Sequence, residues 1–291
     1  METQDLLKKV RKIEIKTRGL SNHIFSGEYH TVFKGRGMSF SEVREYQFGD
    51  DIRTIDWNVT ARFNHPFVKI FEEERELTVM LLVDVSQSSF FGTVNQFKNE
   101  MLTEICAVVA FSAIINNDKV GVIFFSDKIE KFIPPKKGRT HILRIIRELL
   151  DFHPEHTGTN ISEALRYLNN VMKKRSITFL LSDFMDTNFK DALSVANKKH
   201  DMVGVHVYDP CETELPDIGL IRVKDAETGD MIWLNTSSKK VRDNYRQQFQ
   251  RNFENCRTTF LKCGADLISI RTNESYVNAL LKFFKKREAR R

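Results

Sequence analysis

Asp84, Ser86 and Ser88 alternate at the end of Leu77-Thr-Val-Met-Leu-Leu-Val-Asp-Val-Ser-Gln-Ser88, directly after a run of Val and Leu residues. One carboxylate and two hydroxyls at that spacing offer oxygen ligands to a hard cation. Mg²⁺ takes such ligands in near-octahedral geometry and usually keeps waters and few carboxylates. A set this sparse leaves a coordination position for a ligand from outside the chain. The same Asp84 admits a second chemistry, because a strand-ending Asp beside Mg²⁺ can be a phosphoryl-transfer nucleophile. Phosphatases of that kind usually carry a second acid two residues on, and Ser86 stands there instead. Taken alone, the pattern also fits an ordinary strand-to-helix turn capped by Ser88 or Ser89.

The elements around the motif decide which reading holds. The run 77–83 is long enough for a strand buried on both faces. Helical spacing of Met101, Ile105, Val108, Val109 and Ile115 predicts a helix over 95–116. A buried strand at 119–125 and a short edge strand at 128–133, ended by Pro134-Pro135, come next. A helix over 140–152, a polar loop and a further helix lead to a strand at 176–181, followed at once by Ser182-Asp183. A short helix near 189–197, a strand at 202–208, a helix over 238–262, a strand at 265–270 and a helix over 276–286 complete the alternation. Residues 209–237 interrupt it, with two short strands on either side of Asp225-Ala-Glu-Thr-Gly-Asp230, and read as a β-hairpin insertion. Strands alternating with helices predict an α/β fold, a doubly wound and mainly parallel sheet covered on both faces.

Such a sheet binds ligands past the carboxyl ends of its strands, where strand order reverses. With 77–83 and 176–181 flanking that switch point, Asp84 and Asp183 face one crevice. Thr159 joins them from the loop that the chain reaches after crossing back. Asp84, Ser86, Ser88, Thr159 and Asp183 then form one oxygen-rich set drawn from three loops.

Composition narrows the remaining classes. With 41% hydrophobic and 29% charged residues the chain reads as an ordinary folded protein. A net charge of +6 over 291 residues is mild, and no long basic block lies outside the two ends, so nucleic-acid binding is not expected. The basic face beside Leu6, Leu7, Val10 and Ile13 reads as a solvated helix surface, and Lys34-Gly-Arg-Gly-Met38 as a turn rather than a phosphate cradle. Cys106, Cys211, Cys256 and Cys263 show neither a Cys-x-x-Cys pair nor zinc spacing. The eight histidines are scattered, and no Ser/His/Asp order supports nucleophilic catalysis. No signal-peptide core follows the first residues, and the apolar stretch 105–115 is too short for an integral membrane segment. A cytoplasmic location is expected.

Residues 41–76 hold the densest charged and aromatic stretch, with Gly49-Asp50-Asp51 as a turn and Ile52, Ile55, Trp57 and Val59 as apolar anchors between Arg53, Asp56 and Arg62. Opposite charges so close to Trp and Tyr predict a partly buried ion-pair network, read for most of these residues as a clamp tying the segment to the following domain, with specificity or docking as the alternative to a role in stability. Residues 1–76 are accordingly expected as an N-terminal extension packed on a main domain at 77–291, which carries the hairpin insertion at about 209–237.

Two resemblances follow from these residues. Asp84-Val-Ser-Gln-Ser88, Gly158-Thr159-Asn160-Ile161 and Leu181-Ser182-Asp183 resemble the three segments of the metal-ion-dependent adhesion site in von Willebrand factor A domains. That likeness implies direct Mg²⁺ (or other divalent cation) ligation by Ser86, Ser88 and Thr159, with Asp84 and Asp183 often acting through water. It also implies a partner's carboxylate completing the shell. Many A domains carry Asp-Gly where this chain has Asp183-Phe184. The second resemblance rests on Arg44-Glu-Tyr-x-x-Gly-Asp-Asp-x-Arg-x-Ile-Asp-Trp57, Ala61-Arg62 and the acidic run 72–76. These are similar to the signature of the bacterial family called domain of unknown function 58. Genes of that family commonly neighbour MoxR-type AAA+ ATPases, which implies an adaptor or cochaperone role without chemistry of its own.

Overall fold

The computed structural model describes residues 10–14, 38–73, 77–90, 97–156, 158–224 and 231–290. The expected helix start at Leu6 and Leu7, the glycine turn at 34–37, the acidic residues 74–76 and the hairpin tip 225–230 lie outside them. The chain divides into two units, Phe33–Leu77 and Met1–Val32 with Thr78–Arg291.

In the smaller unit, β1 (Met38–Glu45) and β2 (Phe67–Glu73) form an antiparallel ribbon with a bulge between Phe40 and Glu42. Between them lie a 3₁₀ turn (Ile52–Thr54) and α1 (Trp57–Phe63). The charged residues build this frame. Arg44 grips Asp50 through two parallel bonds of 2.7 Å, the forked geometry that a guanidinium and a carboxylate share. Asp50 also accepts the Gln47 N–H at 2.8 Å, closing a turn in which Gly49 holds φ +109°. Asp51 caps the 3₁₀ turn, and Asp56 caps α1 and pairs with Lys69 at 3.4 Å. Ile52 and Trp57, expected as apolar anchors, are 66% and 68% exposed. Each directly follows the capping residue of a short helical turn and projects outward from it.

The larger unit is a doubly wound α/β sheet. Its strands are β3 (Thr78–Asp84), β4 (Lys119–Phe125), β5 (Ile129–Lys136), β6 (Ile177–Ser182), β7 (Asp201–Tyr208), β8 (Leu220–Lys224), β9 (Met231–Asn235) and β10 (Asp266–Arg271). Its helices are α2 (Lys98–Ile115), α3 (Arg139–Asp151), α4 (Ile161–Val171), α5 (Lys190–Lys199), α6 (Pro210–Thr213), α7 (Lys239–Cys263) and α8 (Tyr276–Glu288). Six strands pair in the order β10-β7-β6-β3-β4-β5, all parallel except the edge strand β5. β8 and β9 form the separate hairpin expected between β7 and α7.

The chain leaves β3 toward β4 in one direction and β6 toward β7 in the other. Right-handed crossovers therefore place α2 and α5 on opposite faces. One face buries Met80, Leu82, Ile123, Phe125 and Leu180 beneath α4, α5 and α7, represented by Leu165, Leu193 and Phe260. The alternate residues Val79, Leu81 and Val83 face the other way and are buried as well, as a strand covered on both sides requires. α2 is buried nearly all round, from Met101 to Ala113, so it has no broad polar face. β5 does not end at Pro134-Pro135. It continues to Lys136 across a register shift, tolerable because an edge strand can spare the N–H groups that proline lacks.

Candidate metal centre

β6 and β3 are neighbours, and the return of the chain from β5 to β6 puts the switch point between them. Asp84 is the last residue of β3 and Asp183 directly follows β6, so both sit at the carboxyl edge there. A hydrogen bond bridges the two strand ends, from the Ser182 hydroxyl to Asp84 Oδ2 at 2.6 Å. Asp84 Oδ1 accepts the Ser86 N–H at 3.0 Å, an Asx turn that bends the chain out of the sheet. The Ser86 and Ser88 hydroxyls then lie 3.0 Å apart. These bonds tie Asp84, Ser86 and Ser88 together, and Asp183 stands beside them as the residue that follows Ser182.

Thr159 arrives separately. Its loop is hung between two strand ends, with the Asn160 N–H donating to the Ser126 carbonyl at 2.8 Å and the Ile161 N–H to Asp186 Oδ2 at 2.9 Å. Asn160 caps α4 by accepting the Glu163 N–H. The Thr159 Oγ1 is buried and has no hydrogen-bond partner among the described residues, so no bond joins it to the other four. A buried hydroxyl left without a partner is costly and calls for an explanation.

Burial and electrostatics set the two carboxylates apart. Asp84 is 2% exposed. Its burial, reinforced by the charge of Asp183, pushes its carboxyl up to about 7. Burial acts on Asp183 in the same direction, but the Lys98 ammonium and the Ser88 hydroxyl outweigh it and hold that carboxyl below the usual range. Lys98, 1% exposed at the first turn of α2, donates to Asp183 Oδ2 at 2.9 Å and to Glu212 Oε1 at 2.7 Å. Glu212 belongs to the capping box that Asp209 opens at α6, and its second oxygen accepts the Asp209 N–H at 2.7 Å. Near Asp183, burial depresses His206 to about 4, so that ring is neutral at ordinary pH.

Phe184 stands where many A domains have glycine. It keeps the backbone a glycine would favour, at φ +52°, and buries its ring against Phe189, His206 and Phe260 at centroid distances of 5.8, 5.7 and 5.2 Å. The aromatic packing holds the residue in a region that bulky side chains avoid.

Sequence reasoning identifies Asp84, Ser86, Ser88, Thr159 and Asp183 but not Ser182, Lys98 or Glu212. The Asp209-Pro-Cys-Glu212 capping box is a readable signal for the last, whereas nothing local marks Lys98 as buried. The residues fit a hard cation: hydroxyl oxygens, an orphaned Thr159 and two anchored carboxylates are what such an ion accepts. Among the described residues no cluster of three or more His, Cys, Asp or Glu side chains is placed to hold a metal, so any ion here relies on hydroxyls.

Comparison with known proteins finds likenesses in sequence and in fold. The uncharacterized protein Rv1480 of Mycobacterium tuberculosis is 27% identical over 277 residues, covering 94% of this chain and 87% of that one. The crystal structure of the conserved hypothetical protein BatB from Bacteroides thetaiotaomicron aligns with a TM-score of 0.48 at 15% identity, over 74% of this chain and all of that one. Proximal thread matrix protein 1 from the mussel byssus, solved with a zinc-occupied metal-ion-dependent adhesion motif, aligns with a TM-score of 0.40 at 14% identity, over 72% of this chain and 47% of that one. The model described as "Protein of unknown function DUF58" matches residues 42–255, which take in both the Arg44–Asp50 frame and the Asp84–Asp183 cluster, and the chain belongs to that family.

Proposed function

We propose that this chain is a divalent-cation-dependent protein-interaction module. Ser86, Ser88 and Thr159 would hold Mg²⁺ or another divalent cation directly, with Asp84 and Asp183 acting through water. When bound, the ion supplies an open position that takes a carboxylate from a protein partner. The observation that carries the reading is the buried Thr159 hydroxyl, without a partner among the described residues, on a loop at the same sheet edge as the paired hydroxyls of Ser86 and Ser88. The chain's own groups provide the framework. Ser182 and the Ser86 N–H fix Asp84, Lys98 and the Met185 N–H fix Asp183, and Asn160 holds the Thr159 loop at the start of α4.

The partner in this reading is a MoxR-type AAA+ ATPase, and the chain acts as its adaptor or cochaperone in the cytoplasm. Catalysis is not part of the proposal. Asp84, the residue a phosphoryl-transfer mechanism would use, is buried with both oxygens already hydrogen-bonded. No helix among the described residues is long and apolar enough to cross a membrane.

The test is capture of the cognate MoxR-type ATPase by the immobilised chain, in Mg²⁺ and in chelator, beside the Asp84→Ala variant. Capture by the wild type in Mg²⁺ alone, lost in the variant while its circular dichroism is unchanged, is the expected result. Capture that persists in chelator removes the mechanism.

A further inference from the structure

Lys98 is among the largest fully buried side chains of the described residues, and the only charged one in that group. A buried ammonium is tolerated only where carboxylates face it, and here two do, from elements far away in sequence. The arrangement is directional. Glu212 is fixed on its far side by the Asp209 N–H, so it holds Lys98 in place without turning away. Asp183 spends Oδ2 on Lys98, and Oδ1 accepts the Met185 N–H at 3.4 Å. Of the two carboxylates at the candidate centre, Asp183 is thus matched by an internal positive charge, and Asp84 is bonded only to neutral donors from Ser86 and Ser182.

We infer that Lys98 is a fixed counter-charge that sets the cation affinity of the centre: it neutralises Asp183 from inside the protein and weakens the hold on a divalent ion until a carboxylate from outside joins the shell. The inference rests on the metal-centre reading above. Its physical basis is that affinity for a hard cation follows the charge of the ligand set. Inside a protein, an ammonium within a few ångströms repels an ion far more than it would in water. Lysine suits the role as a compact point charge, and its burial leaves water little room to screen it.

The experiment is calorimetric titration of MgCl₂, and of MnCl₂ as a second probe, into the full chain. Four proteins are compared: wild type, Lys98→Met/Glu212→Gln, Glu212→Gln and Asp84→Ala. The double substitution removes the Lys98 and Glu212 charges together, and the introduced glutamine amide retains an acceptor for the Asp209 N–H. It is expected to bind either ion at least about tenfold more tightly than wild type. Glu212→Gln alone leaves the full Lys98 charge on Asp183 and is expected to weaken binding, which keeps the inference testable should the double variant not fold. Equal or weaker binding by a folded double variant, or tighter binding by Glu212→Gln, overturns the role of Lys98. The Asp84→Ala arm separates the two ideas. Binding lost there without a gain in the double variant sinks only the Lys98 inference. Binding retained there, or no binding by any protein, sinks the metal centre along with it.

Discussion

At the scale of single residues the centre is a place where local stability is given up. The Thr159 hydroxyl is buried with no partner among the described residues, and an unsatisfied buried hydroxyl costs about 1–3 kcal/mol. Phe184 sits at φ +52° and is retained by its aromatic neighbours. Asp84 is held in surroundings that favour its protonated form. Such features persist where the surrounding structure over-determines them, and they cluster at functional sites. Thr159→Val tests this directly, since valine keeps the shape and removes the orphaned oxygen. In chelator the variant is expected to be more stable than wild type by about 1 kcal/mol. In Mg²⁺ the order reverses, because wild type alone gains from ion binding. Chemical denaturation in both buffers measures the crossover, and a variant less stable than wild type in chelator would show that the hydroxyl is satisfied within the protein.

At the scale of elements, the sheet edge is tuned by one close approach. A Cβ on Gly121 would meet Met80 Sδ at 2.8 Å, the Pro135 nitrogen at 2.9 Å and the Ile133 carbonyl oxygen at 3.0 Å. Two of those atoms belong to the backbone of β5, just where its register shifts at the proline pair. Gly121→Ala should therefore push β5 away from β4 and destabilise the protein by about 2–3 kcal/mol, read as a lower midpoint in urea. A midpoint within error of wild type would mean that β5 yields freely. The same strand shows what a sequence can convey. Prolines announce an interruption, but whether a strand stops or carries on as a bulged edge depends on a neighbour that only the folded sheet supplies. The parallel strands are readable because burial on both faces makes them unbroken apolar runs, and Asp84 and Asp183 are readable as the polar residues that end them. α2 is readable as a helix, but its burial nearly all round comes from its packing within the fold. Lys98 is not readable at all, because the carboxylates that make its burial possible lie 85 and 114 residues away. The apolar spacing at Ile52 and Trp57 misleads for the opposite reason, since capping by Asp51 and Asp56 decides those turns and leaves both side chains outside.

At the scale of the whole molecule, the two edges of the sheet carry different chemistry. The carboxyl edge carries the candidate cation centre. The amino edge carries His200, fully buried where α5 turns into β7. Its Nδ1 accepts the Ser176 N–H at 3.2 Å and lies 2.9 Å from the Ser176 hydroxyl, so the ring is held neutral with its proton on Nε2. Burial, aided by the charges of Lys199 and Arg175, lowers its pKa to about 4 from an ordinary value of 6.5. A proton added at Nδ1 would meet the N–H already pointing there. Between pH 4 and 6.5 the unfolded chain therefore binds this proton while the folded chain refuses it. The contribution of His200 to stability is complete above about 6.5, and it drains away as the pH falls toward 4. His206 has the same sign, and Asp84, whose carboxyl is raised, has the opposite one, so the overall pH profile mixes all three. Substitution isolates the contribution of His200. His200→Gln, which can still accept the Ser176 N–H, is expected to lose less stability than wild type between about pH 7 and pH 4.5, the difference being about 2 kcal/mol. Urea unfolding of both proteins at the two pH values measures it. Parallel losses would place the acid sensitivity elsewhere, whereas a gap that opens only below pH 6.5 assigns it to the edge of the sheet remote from the metal centre.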